Sequence, residues 1–170
     1  MEKTLKILNE LEKLGLIQRY AIGGAIAALF HAEPVLTYDM DVYCFLPTPT
    51  GPQVTPSPIY EHLREKGYLE YEEHIFIEGV PVHIIPAYNA LITEALKQAQ
   101  ETRFKRTRMR VVRIEHLVAI LLQTDRPKDR QRLPQLLDEA KIDRRSLGRI
   151  IKRHGLSRKW QAFNRRNNDH

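Results

Sequence analysis

Apolar positions along the first sixteen residues recur at helical spacing, with Leu5, Leu8, Leu11 and Leu14 forming a stripe beside Ile7 and Leu16. The stripe predicts an amphipathic helix that ends near Gly15. Tyr20-Ala21-Ile22 is then a short buried strand, and Gly23-Gly24 opens a small-residue helix over Ala25 to Phe30. Pro34 breaks it. The stretch Val35 to Leu46 contains a strand whose inner part, Val42 to Leu46, is wholly apolar. Five prolines and a glycine between Pro47 and Pro58 exclude regular structure and predict a loop. Ile59 to Lys66 is a helix closed by Gly67, and Tyr68 to Ile77 is one strand. Glu78-Gly79 turns into a hairpin partner, Val80 to Ile85.

The pattern changes after Tyr88. Ala90 to Ala99 is helical, Met109 to Val112 is a short strand, and three helices follow at about 114–124, 128–140 and 144–153. The whole is an α/β (α+β) chain: a mixed sheet flanked by helices, followed by a C-terminal helical bundle segment. The expected organisation is a core over 1–100, a helical part over 101–156, and a basic, flexible tail over 157–170 with little to bury.

A length of 170 residues suits one domain of ordinary size. The single cysteine, Cys44, sits in the apolar run, so it forms no intrachain disulfide and reads as core filler. No apolar stretch approaches the roughly 20 residues that span a bilayer, which gives the expectation of a cytoplasmic protein without a membrane partner. The net charge of +6 is concentrated after residue 100. One cluster is Arg103, Lys105, Arg106, Arg108, Arg110 and Arg113; the other runs from Arg144 to Arg166. Each is either a solvated basic face or a surface for nucleic acid or a nucleotide's phosphates.

The chemistry concentrates in Thr37-Tyr38-Asp39-Met40-Asp41-Val42-Tyr43. Residues two apart on a strand point to one side, so Asp39 and Asp41 project together. Two ionised carboxylates repel, and a fold that keeps them side by side usually supplies a cation or water. A strand feeding a helix through Gly23-Gly24 allows close backbone approach to an anion. The plainer alternatives are a solvated acidic pair at the sheet rim, a histidine at 83 bonded to a carbonyl, and an exposed Lys128-Asp129 pair in the first turn of a helix.

Taken in order, Gly23-Gly24, the Asp39-x-Asp41 strand, the hairpin and the segment Arg126-Pro127-Lys128-Asp129 resemble the nucleotidyltransferase superfamily, over roughly residues 15 to 140. Within it the chain looks most like the minimal AbiEii-type toxins. The resemblance implies transfer of a nucleoside monophosphate from an NTP to a hydroxyl on RNA, protein or a small molecule. Asp39 and Asp41 would hold Mg²⁺ (or Mn²⁺), and Gly23, Gly24, Thr37, Arg126, Lys128 and Asp129 would contact or frame the nucleotide, with Asp129 orienting Lys128. The basic rear would favour an RNA acceptor, and family analogy adds an antitoxin-type partner. Two positions depart from the pattern. A third carboxylate is expected where His83 stands, and a lysine where Leu121 stands. These departures set a second reading beside the first: a degenerate nucleotidyltransferase fold that binds nucleotide, RNA or protein without catalysis. A third reading is a basic RNA-binding protein whose carboxylates are structural.

Overall fold

A computed structural model describes residues 1–29, 39–47 and 55–168. Thr37, the break at Pro34 and most of the proline-rich loop fall outside them. The described residues form a seven-stranded mixed sheet and eight helices, an α+β fold.

The sheet runs in the order β3-β4-β5-β2-β1-β7-β6. Its strands are β1 (Arg19–Ile22), β2 (Met40–Phe45), β3 (Leu69–Tyr71), β4 (His74–Ile77), β5 (Val80–Pro86), β6 (Gln100–Phe104) and β7 (Thr107–Val111). β2 is central, antiparallel to β1 and parallel to β5, while β1 and β7 run parallel and the remaining pairs are antiparallel hairpins. Helix α1 (Glu2–Lys13) and helix α3 (Ser57–Glu65) cover one face. Tyr20 donates from its hydroxyl to Asn9 of α1 at 2.7 Å, and Lys66 at the end of α3 donates to Glu10 of α1 at 2.5 Å. Helices α2 (Gly24–Leu29), α4 (Ala90–Lys97) and α5 (Ile114–Thr124) lie on the other, where Arg19 donates to the Leu96 carbonyl at 2.9 Å. Helices α6 (Pro127–Glu139), α7 (Arg144–Arg153) and α8 (Ser157–Asn168) complete the chain, with α6, α7 and α8 all packed on α5.

Helix α5 is buried on nearly every side, from His116 through Leu122, because it has the sheet side on one flank and later helices on the other. Leu121 is 2% exposed, so the position where the resemblance expects a lysine points into the core. The buried side chains form one hydrophobic cluster that spans sheet and helices. No helix among the described residues is long and apolar enough to cross a membrane.

Three expectations are corrected. Residues 100–111 are a hairpin of the same sheet, so the helical part begins at Ile114 and not at 101. The first of its strands, Gln100–Phe104, is an edge strand with little buried surface, which leaves no apolar alternation to read. The stretch Tyr68 to Ile77 is two strands with a turn at Glu72-Glu73, where Glu72 has φ 54°. The tail after Ser157 is helical through Asn168: Trp160 and Phe163, three apart, stack at 5.8 Å, and Phe163 is buried where α8 meets α5 and α7. Two aromatic side chains outweighed the polar composition.

Candidate functional site

The site is built where β2 begins. The parallel pairing of β2 with β5 sets Asp41 beside His83, and the imidazole Nδ1 lies 3.6 Å from the carboxylate Oδ1. Asp39, just before β2, has its Oδ2 3.9 Å from His74 Nε2 and 3.9 Å from Lys128 Nζ. The His74 and His83 rings stand 5.5 Å apart, tilted. Two carboxylates, two imidazoles and an ammonium therefore meet across β4, β5, β2 and the start of α6. His74 is the member that sequence reading missed. Its only signal was the hairpin register, which carries it beside His83 once Ile75 is paired with Val82.

The Gly-Gly turn is fixed by packing against the same strand. A Cβ on Gly23 would collide with the Tyr43 ring, and one on Gly24 would collide with the Asp41 carboxylate. Gly24 also has φ +55°, a conformation that favours glycine. The Gly23 N–H is engaged by the Asp41 carbonyl at 2.8 Å. The two glycines thus bring backbone against Asp41, and the absence of a side chain there is required before any ligand is considered.

Tyr43, two residues beyond Asp41 on the same face, is 5% exposed, and burial, followed by the Asp41 charge, pushes its phenol well above the ordinary range. It stays protonated. Cys44, on the opposite side, has its thiol pushed up to about 12 by burial and is inert filler.

Arg126, Lys128 and Asp129 are placed by the corner between α5 and α6. Asp125 closes α5 in the left-handed conformation (φ 52°), Pro127 opens α6, and Asp129 folds back to cap it. Asp129 is fully buried and accepts from Thr124 Oγ1 at 2.6 Å, Arg126 Nε at 2.8 Å and Arg126 N at 3.2 Å. Burial raises its pKa, and these hydrogen bonds more than offset that, so the carboxyl lies below its usual value. Asp129 accordingly orients Arg126 rather than Lys128, and is too deep to touch a ligand itself. The hydrogen bonds and charge of Asp129, and after them the Asp41 charge, favour the protonated form of Arg126.

The first basic cluster lies elsewhere. It occupies the β6–β7 hairpin, at the opposite edge of the sheet from β3, and several members are held internally. Arg110 donates to Glu12 at 2.8 Å and Arg113 to the Gln98 carbonyl at 3.0 Å. Nearer the site, a cavity of about 270 Å³ between the α5–α6 corner and α8 is lined by Arg130, Lys159 and Arg166, with Asp125 among them.

Asp39 and Asp41 present hard carboxylate oxygens, which suit a cation that keeps several waters and takes further oxygens from a substrate phosphate. Among the described residues no group of three His, Cys, Asp or Glu side chains is arranged to hold a metal by itself. Comparison with protein-family models finds no match, and comparison with curated proteins finds none.

Proposed function

We propose that this chain is a nucleotidyltransferase, moving a nucleoside monophosphate from an NTP to a hydroxyl acceptor with release of pyrophosphate. The observation that carries it is the convergence of Asp39, Asp41, His83 and Lys128 at a glycine turn pressed against Asp41. Phosphoryl transfer depends on positioning and charge neutralisation more than on covalent chemistry. Mg²⁺ or Mn²⁺ held by Asp39 and Asp41 would draw charge from the triphosphate. Lys128 and Arg126 supply the fixed positive charge, and His83 is within reach of Asp41 to accept the proton of an acceptor hydroxyl. The cations around the α5–α6 corner favour a phosphate-bearing acceptor such as RNA. An antitoxin-type partner rests on the family resemblance alone.

The second reading, nucleotide or RNA binding without turnover, is favoured by one observation: the partner of Asp41 across the sheet is an imidazole, a poor ligand for Mg²⁺. Calorimetry with each NTP and Mg²⁺ or Mn²⁺, followed by incubation with labelled NTP and total RNA, separates the two. Turnover supports transfer, binding without turnover supports the second reading, and binding of neither NTP nor RNA removes both.

A further inference from the structure

The sheet face that carries Asp41 and His83 continues outward past the helices. In the β3–β4 hairpin Leu69 pairs with Phe76 and Tyr71 with His74, so all four side chains share that face. Leu69 is 74% exposed, Tyr71 67% and Phe76 40%. The described helices leave these side chains bare. An open groove of about 580 Å³ runs along Gly67, Leu69, Glu70, Tyr71 and Phe76. Among the described residues strand β3 is the last in the sheet and pairs with β4 alone. An edge strand that exposes an apolar face of this kind is ordinarily covered or blunted.

The charge around the groove says what would cover it. Between residues 61 and 78 the chain carries six glutamates against one arginine and one lysine, in a protein whose net charge is +6. Both basic side chains are occupied, Arg64 with Glu70 at 3.0 Å and Lys66 with Glu10 at 2.5 Å. Glu72 and Glu73 at the hairpin tip are exposed, and no ion pair among the described residues engages them. An acidic rim repels a nucleic acid and attracts a polycation.

We propose that the β3 edge and the Leu69-Tyr71-Phe76 face are a docking site for an extended, basic segment of a partner protein. It adds as a strand beside β3, its alternate apolar side chains lying on Leu69, Tyr71 and Phe76 and its Lys or Arg side chains meeting Glu72 and Glu73. The site stands apart from the transferase reading and needs no nucleotide.

The test titrates the full chain, followed by backbone amide NMR, with three probes: an eight-residue peptide alternating Val with Lys, its Val-Glu counterpart, and single-stranded oligo(dT) of eight nucleotides. The expected result is shift changes centred on residues 67–76 with the Val-Lys peptide, at least about tenfold tighter than with Val-Glu. Leu69→Ser with Phe76→Ser, which leaves every charge in place, should weaken it at least about tenfold. So should Glu72→Lys with Glu73→Lys. Equal binding of both peptides, shifts centred elsewhere, or indifference to the Ser pair overturns the proposal. Oligo(dT) as the tighter ligand on this face overturns it in favour of nucleic acid. Concentration-dependent dimerisation that Tyr71→Asp abolishes, with no peptide bound, overturns it in favour of a second copy.

Discussion

Asp41 and His83 stand side by side on parallel strands, carboxylate Oδ1 to imidazole Nδ1 at 3.6 Å, with Gly24 pressed against the other carboxylate oxygen. The relationship fixes Asp41 from two directions and leaves its side chain 13% exposed. A carboxylate held this firmly is suited to receive a ligand without reorganising.

If that carboxylate serves an NTP-bound cation, Asp41→Asn and Asp39→Asn each weaken binding of Mg²⁺-NTP by at least about tenfold, with thermal unfolding little changed. Titration calorimetry on both variants checks this. Undiminished affinity in either would remove the proposed mechanism.

His83→Asp places a third carboxylate across from Asp41. On the transfer reading it alters the pH profile of NTP consumption by removing an imidazole base; on the binding-only reading it confers turnover that the parent lacks. Labelled pyrophosphate release measured between pH 5 and 9 distinguishes the outcomes.

Gly24→Ala forces a side chain into the left-handed region and onto the Asp41 carboxylate, and should cost about 3 kcal/mol. Gly15, at φ +74° with open space around it, provides the control. There Ala suffers only the backbone strain, about 1 kcal/mol. Urea unfolding of the two variants reads the difference, which belongs to the Asp41 contact. Equal losses would mean that Asp41 simply moves aside.

Asp129→Ala removes the α6 cap and strands the partners of a buried carboxylate, for a loss of about 2 kcal/mol. Lys128→Ala, whose side chain is 47% exposed and 3.9 Å from Asp39, should change stability by less than about 0.5 kcal/mol while weakening NTP binding. Neighbours in sequence should therefore separate into one structural and one ligand-facing residue.

Stability should also fall on acidification through a cluster between α4, α5 and α7. Glu94 accepts from His116 Nε2 at 3.2 Å, His154 Nε2 at 2.8 Å and Arg153 Nη1 at 2.6 Å. Burial raises the Glu94 pKa, but the bonds from His154, His116 and Arg153 bring it below 4.5. Burial depresses His116 below 6.5, against the pull of Glu94, and its Nδ1 has no hydrogen-bond partner among the described residues. Both folded pKa values lie under the unfolded ones, so each group's contribution is complete above its unfolded pKa and is lost as pH falls. His116 begins to act below about pH 6.5 and Glu94 below about 4.5. His116→Gln should flatten the first part of the decline in a urea series from pH 7.5 to 4.

Much of this was legible in the chain. The Leu5-Leu8-Leu11 stripe, the apolar run after Asp41, the Glu78-Gly79 turn and the three rear helices are all local patterns, and local patterns survive folding where the buried face repeats regularly. The failures came where burial was unusual. β6 lies at an edge and shows no alternation; α8 depends on Trp160 and Phe163 finding α5 and α7.

The sequence by itself determined that Asp39 and Asp41 project to one side, since residues two apart along an extended chain share a face, and the glycine pair marked a close approach of backbone. Only the tertiary structure decided their company. Strand register brought His83 to Asp41 and His74 to His83, a helix corner brought Lys128 to Asp39, and the limits of the covering helices left Leu69, Tyr71 and Phe76 bare. Each depends on pairings between segments far apart in the chain, which no local periodicity encodes.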